Sequence, residues 1–244
     1  MESDFVDAAY KGDLDRLRDL LNGGVDVNEV DKIGWTALAS ASANGQQACV
    51  EELLKAGADV NYQVVDDEDS ALMLAAQYGY PEIVRMLLKA GAEIEQEDCL
   101  GETALLKAVD GANMSSANGC FEVVKLLLDA GADIDTHDRS GMTPLINAVV
   151  SGEPDFVRFL LDRGADIERY DCRAATALMY SVSGMHFDFM AHIPCNPRTV
   201  KVLLEYGANV NETGLGGKTA LDLAVNEEVA HLLIEAGAKR SSEL

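Results

Sequence analysis

Basic residues are scarce. The 244-residue chain holds 19 Lys and Arg against 42 Asp and Glu, a formal net charge of −23. That balance argues against a nucleic-acid binder, which needs a cationic face to displace phosphate counterions. It argues equally against docking on an anionic membrane surface. Long apolar runs are missing as well: none approaches the ~18–20 residues of a membrane-spanning helix. The acidic start, Met1-Glu2-Ser3-Asp4, leads into amphipathic sequence and does not resemble a secretory signal. Five cysteines (49, 99, 120, 172 and 195) are odd in number and lack CxxC spacing, the pattern of reduced thiols in an intracellular, cytoplasmic protein. Five prolines leave little room for a Pro-rich linker.

What the chain does have is repetition. Gly57-Ala58-Asp59-Val60 returns as Gly91-Ala92-Glu93-Ile94, Gly131-Ala132-Asp133-Ile134, Gly164-Ala165-Asp166-Ile167 and Gly207-Ala208-Asn209-Val210. Gly24-Val25-Asp26-Val27 is a weaker first copy and Gly237-Ala238 a truncated last one. The glycine spacings are 33, 34, 40, 33, 43 and 30. A second marker follows each copy: Thr36-Ala37-Leu38, Ser70-Ala71-Leu72, Thr103-Ala104-Leu105, Thr143-Pro144-Leu145, Thr176-Ala177-Leu178 and Thr219-Ala220-Leu221. Its spacings of 34, 33, 40, 33 and 43 agree with the first series. Both therefore share a unit of about 33 residues with two insertions.

Each unit reads as helix, turn, helix and extended finger. Thr143-Pro144 is an N-cap followed by the one helical position where Pro costs nothing. A short helix over 145–151 then ends near Gly152. A second helix carries Phe156, Val157, Phe159, Leu160 and Leu161 at helical spacing. Gly164 stands just past its end, where a left-handed residue closes a helix. Polar turn formers, Asp166 to Ala175, lead to the next Thr.

This pattern resembles the ankyrin repeat family, whose 33-residue unit carries a T-P-L-H-x-A signature. The family's His is absent here, replaced by Ala39, Met73, Leu106, Ile146, Met179 and Asp222. The resemblance implies an all-α repeat solenoid of stacked helix-turn-helix units with projecting β-hairpin fingers. One domain is expected over 4–240, with units at 4–30, 31–64, 65–97, 98–137, 138–170, 171–213 and 214–240. The first and last are expected to be caps with polar outer faces, because an unstacked apolar face must not meet water.

The fingers concentrate the charge. Residues 26–35, 59–69, 93–102, 133–142, 166–175 and 209–218 together hold 20 acids and 5 bases. Those at the finger turns, such as Asp31, Asp98, Asp138 and Asp171, are expected to satisfy turn backbone groups. The excess lies in the second and third fingers, where Asp66-Asp67-Glu68-Asp69 replaces the turn glycine and Glu95, Glu97 and Glu102 follow one unit on. A basic row on the outer helices, Arg18, Arg85, Lys125, Arg158 and Lys201, reads as a solvated face balancing the fingers.

The resemblance implies a non-catalytic, monomeric interaction module (adaptor, scaffold or inhibitor) that binds through fingers and inner helices. The acid excess adds that the partner is a protein with a basic segment. Trp35, the only tryptophan, and Tyr78 are expected on the concave side as anchors for Lys or Arg. Ile33 and Leu100 add apolar contacts, and Asp66, Asp67, Asp69, Glu102 and Met142 complete the expected binding set. Trp35 could instead pack as a local core residue.

The two insertions fall at Gly111 to Asn118, small and polar, and at Ser183 to Pro197, where Phe187, Phe189 and Met190 make an apolar loop. Such a loop either packs back on the helices, which is the favoured reading, or is offered to a partner; the second would make the chain a regulator or substrate of an enzyme engaged through 183–197. His186, His192 and Cys195 match no closed zinc site and lack a fourth ligand, so no metal is expected. The four histidines form no Ser/His/Asp or Cys/His set, and Gly214-Leu215-Gly216-Gly217-Lys218-Thr219 lacks phosphate-loop spacing. No cofactor and no catalytic residues are expected.

Overall fold

The computed structural model describes residues 3–114, 118–183, 195–214 and 216–244, without the side chains of 112–114 and 118. It divides into two compact units, Met1–Asp133 and Ile134–Leu244.

The first unit holds four helix pairs: α1 (Asp4–Lys11) with α2 (Leu14–Asn22), α3 (Ala37–Ala43) with α4 (Gln47–Lys55), α5 (Ala71–Gln77) with α6 (Pro81–Lys89), and α7 (Ala104–Met114) with α8 (Asn118–Asp129). The inner helices stack in the order α1, α3, α5, α7 and the outer ones in the order α2, α4, α6, α8. The second unit holds three pairs: α9 (Pro144–Ser151) with α10 (Pro154–Asp162), α11 (Ala177–Ser183) with α12 (Pro197–Glu205), and α13 (Ala220–Leu223) with α14 (Glu227–Glu235).

The recurring motifs have clear physical roles. Thr36 Oγ1 accepts the Ala39 N–H at 3.2 Å, Ser70 Oγ that of Met73 at 3.3 Å and Thr143 Oγ1 that of Ile146 at 3.2 Å, so these marker residues cap their inner helices. The inner helices are short and rich in small residues; Ala37, Ala39, Ser40, Ala41 and Ser42 of α3 are all buried, which lets neighbouring backbones approach closely. Four of the five prolines, Pro81, Pro144, Pro154 and Pro197, open helices, where their missing N–H is not needed.

The Gly-Ala pair closes the outer helix. Gly91 is left-handed (φ 92°), and the Ala92 N–H returns to the Leu87 carbonyl at 3.0 Å. Leu87 is fully buried, as are its equivalents Leu53 and Leu127 in the first unit and Leu160, Leu203 and Leu233 in the second. Each such side chain contributes roughly 1.5–3 kcal/mol by leaving water.

A side-chain acceptor then joins each repeat to the next. Asn28 Oδ1 accepts the Asp59 N–H at 2.8 Å, Asn61 Oδ1 that of Glu93 at 2.9 Å, and Glu95 Oε1 that of Asp133 at 2.9 Å. In the second unit Asp135, Glu168 and Asn211 do the same for Asp166, Asn209 and Lys239. These finger contacts supply a repeat-to-repeat hydrogen bond in a chain whose helix starts lack the family's His.

Two expectations need correcting. The first insertion is not wholly a loop: Gly111–Met114 continue α7, which runs 11 residues where α3 and α5 run seven. The fingers, among the described residues, are not strand ladders. They are turns carrying single antiparallel bridges, Val30 to Thr36, Gln63 to Ser70 and Tyr170 to Thr176.

Candidate functional site

A finger-turn Asp shapes each regular finger. Asp31 Oδ1 accepts the N–H groups of Ile33 (3.0 Å) and Trp35 (2.9 Å), and Asp98 Oδ1 those of Leu100 (2.8 Å) and Glu102 (2.7 Å). Asp138 and Asp171 repeat the arrangement in the second unit. These acids serve the backbone, as their position suggested. The second finger is different. Buried Val64 takes the place of the Asp, the loop is one residue longer, and Glu68 adopts φ 60° where Gly34 and Gly101 stand in its neighbours. Val65, Asp66, Asp67 and Glu68 are consequently exposed.

Three of the expected site residues do not present themselves. Asp69 and Glu102 point inward to Lys107 on α7, whose Nζ lies 3.3 Å from Asp69 Oδ1, 2.6 Å from Asp98 Oδ2 and 2.9 Å from Glu102 Oε2. Lys107 and Asp69 are buried. Burial opposes the Lys107 charge, but its hydrogen bonds to Asp98 and Glu102 overcome that and raise its pKa. Burial pushes the Asp69 carboxyl up, against the pull of Lys107. Burial also works against Asp98, but Lys107 and the Glu102 and Leu100 amides hold it below the usual carboxylate range. Met142, at the same finger-base position in the second unit, is likewise buried, its carbonyl accepting the Asp138 N–H at 3.2 Å. At Asp69, Glu102 and Met142 the finger-base side chain thus turns in against the protein and is not offered to a partner.

Other expected residues do come together. Ile33, Trp35 and Tyr78 line one groove of about 590 Å3 in the first unit, with Tyr10, Asp31 and Tyr80. Trp35 has two roles: it packs on the buried cluster of Ala39, Val64 and Leu74 while also forming a groove wall. Tyr78, the C-cap of α5, is 53% exposed and Ile33 60%. Leu100, at the tip of the third finger, is exposed. Val65 of the second finger lies against Gly34 of the first, and no ion pair involves the next two residues, Asp66 and Asp67, among the described residues. Sequence reasoning missed Tyr10 and Tyr80. The signal was available in their placement at the ends of α1 and in the turn after α5, beside the same inner-helix face as Tyr78.

Four of the five residues of the outer basic row are paired on the outer helices rather than with the fingers. Arg18 pairs with Glu52 at 3.0 Å, Arg85 with Glu122 at 2.8 Å, Arg158 with Glu205 at 2.7 Å and Lys201 with Glu228 at 3.9 Å, each on the neighbouring outer helix. The apolar loop of 183–197 lies mostly outside the described residues, including Phe187, Phe189, Met190, His186 and His192. Its far end is anchored: Asn196 caps α12 through the Arg198 N–H and donates from Nδ2 to the Gly152 carbonyl at 2.9 Å.

Comparison with known proteins places this architecture. Residues 5–98, 96–171 and 112–193 match the family described as ankyrin repeats (three copies). The chain belongs to the ankyrin repeat family. Ankyrin repeat domains are in general protein–protein interaction modules and typically non-catalytic. The human ASB11 ankyrin repeat domain superimposes with a TM-score of 0.79 at 28% identity, covering 96% of this chain and 97% of that one. The ankyrin repeat domain of Bcl-3, a member of the IkappaB protein family, gives 0.80 at 28% identity, covering 96% and 98%. Ankyrin repeat domain-containing protein 29 of Danio rerio is 53% identical over 57 residues, 23% of this chain and 19% of that protein. The stretches matched in the curated relatives make up only 4% to 31% of their lengths. No described helix is long and apolar enough to cross a membrane.

Proposed function

We propose that this ankyrin repeat protein is a monomeric, non-catalytic adaptor, scaffold or inhibitor that binds a basic polypeptide segment on the finger face of its first unit. One observation carries the reading: Gly34, between the groove residues Ile33 and Trp35, lies against Val65, which precedes the exposed carboxylates Asp66, Asp67 and Glu68. Those carboxylates have no ion-pair partner among the described residues, whereas Asp69 and Glu102 are taken up by Lys107. An aromatic wall beside free acids suits Lys or Arg, whose stems pack on the ring while the charge meets carboxylate. Leu100 adds an exposed apolar side chain on the third finger, beyond the acids of the second. A cytoplasmic setting agrees with five free thiols.

The charge of −23 should steer a cationic partner and make association faster at low salt. The test is calorimetric titration of the full chain with a Lys/Arg-rich synthetic peptide at low and physiological salt. Binding weakened at least roughly tenfold by Asp66→Lys with Asp67→Lys supports the reading. An affinity indifferent to both substitutions and to salt overturns it.

A further inference from the structure

The groove offers an aromatic wall and ample room for a large apolar side chain, and its first-finger wall touches the second finger, which sets where the charges of its ligand must fall. Its volume, about 590 Å3, lies within the roughly 300–1,000 Å3 of small-ligand sites. Its walls come from three successive repeats: Tyr10 on α1, Ile33 and Trp35 on the first finger, and Tyr78 and Tyr80 at the two ends of the turn from α5 to α6. Trp35 is held from behind by Ala39, Val64 and Leu74. The pocket is therefore formed before anything enters it, which reduces the ordering cost of binding. Tyr10, Ile33 and Tyr78 are each more than half exposed at its rim.

The second finger follows immediately. A Cβ added at Gly34 would sit 2.2 Å from Val65 Cγ2, so the tips of the two fingers touch. Asp66 and Asp67 thus stand one repeat beyond Ile33 and Trp35, in the repeat that also supplies Tyr78 and Tyr80. Packed helices lie about 8–10 Å apart, and an extended chain advances about 3.3 Å per residue. One repeat then corresponds to two or three residues of an extended ligand.

Resting on the basic-segment reading, we propose that the occupant is an extended peptide with a large apolar or aromatic anchor in the Trp35–Tyr78 groove and a pair of Lys or Arg residues two or three positions away on Asp66 and Asp67. A second copy of this chain is a poor occupant, because two bodies of charge −23 repel. Nucleic acid and anionic lipid are disfavoured for the same reason.

The experiment is selection of a displayed library of random linear peptides on the full chain, followed by affinity measurement of the selected peptides as synthetic molecules. The expected family carries the anchor and the basic pair at that spacing. Replacing its anchor by Ala, or Tyr78→Ala or Ile33→Asp in the protein, weakens binding roughly tenfold. Both protein positions are exposed, so the test does not depend on Trp35, which the core also uses. Selected peptides that are basic but lack an anchor at fixed spacing, and that ignore Tyr78→Ala, overturn the anchor while leaving the basic-segment reading in place. Selected peptides without basic residues overturn both, and a library that yields no enriched family overturns the anchor.

Discussion

Lys107 Nζ lies 2.6 Å from Asp98 Oδ2, while the other oxygen of that carboxylate holds the amides of Leu100 and Glu102. One ammonium on an inner helix thereby fixes the third finger, and through Asp69 the second. Lys107→Met would leave three carboxylates converging without their cation. Removing one partner of a buried ion pair typically costs about 3–5 kcal/mol, and the partial exposure of Glu102 moderates this here. Urea unfolding of Lys107→Met should show a loss of that order, with Lys107→Arg recovering part of it. A Met variant as stable as the parent would mean that the three acids are not held by this cation.

The two aspartates on Lys107 should answer oppositely to substitution. Burial raises the Asp69 carboxyl, whereas Lys107 and two amides hold Asp98 low despite its burial. A carboxyl lowered in the folded state contributes stability that is complete above its unfolded value of about 3.9 and is lost as pH falls through the folded value. A raised one does the reverse, and costs stability at neutral pH that is regained as pH falls through its folded value. Asp69→Asn should therefore leave stability at pH 7 unchanged or improved within about 1 kcal/mol. Asp98→Ala strands two amides and weakens the hold on Lys107, so it should cost about 2–4 kcal/mol. Denaturation curves at pH 7 and pH 4.5 distinguish them, and equal losses for both variants would contradict the assignment.

The repeat was legible because its markers are local. Gly91 needs a positive φ, and Thr36 and Thr143 need only the amide three residues on. Short-range geometry of that kind leaves a periodic trace. The fate of Asp69 and Glu102 left none, since it depends on Lys107, which is 38 residues beyond Asp69 in the chain and belongs to another element. A signal did exist: Lys107 is the lone cation on a helix that otherwise reads Ala104-Leu105-Leu106 and Ala108-Val109, and a buried lysine demands acids. The groove was half legible. Trp35 and Tyr78 follow from their repeat positions, whereas Tyr10 enters from the first helix pair, where the finger pattern has not yet begun.

Glu68 occupies a backbone position its neighbours give to glycine. At φ 60° its Cβ is strained, and its side chain is exposed, so little contact is lost on removal. A left-handed non-glycine residue costs about 1–2 kcal/mol, part of which glycine returns through the entropy of its unfolded chain. Glu68→Gly should stabilise the protein by about 0.5–1 kcal/mol. Glu68→Gln keeps the strain and removes the charge, so it should stay within a few tenths of a kcal/mol of the parent. Thermal melting of the pair checks this; equal gains from both would point to charge repulsion among Asp66, Asp67 and Glu68 instead.

Asp222 closes the last helix pair. Its Oδ2 accepts the Ser241 N–H at 2.9 Å and the Thr219 N–H at 3.1 Å, and these donors, Ser241 first, hold its carboxyl down to about 2. Because the folded value is depressed, the contribution is complete above the unfolded value near 3.9 and disappears as pH falls from there towards 2. Asp222→Ala should cost about 1 kcal/mol at pH 7, as loss of a helix cap does, and the difference from the parent should vanish below about pH 2. The local readout is amide exchange at Ser241. It should quicken in the variant at neutral pH while the amide of Ala92, in the first unit, keeps its protection. Unchanged exchange at Ser241 would show that the C-terminal turn is held by Thr219, whose Oγ1 donates to the Lys239 carbonyl at 2.8 Å, without help from the carboxylate.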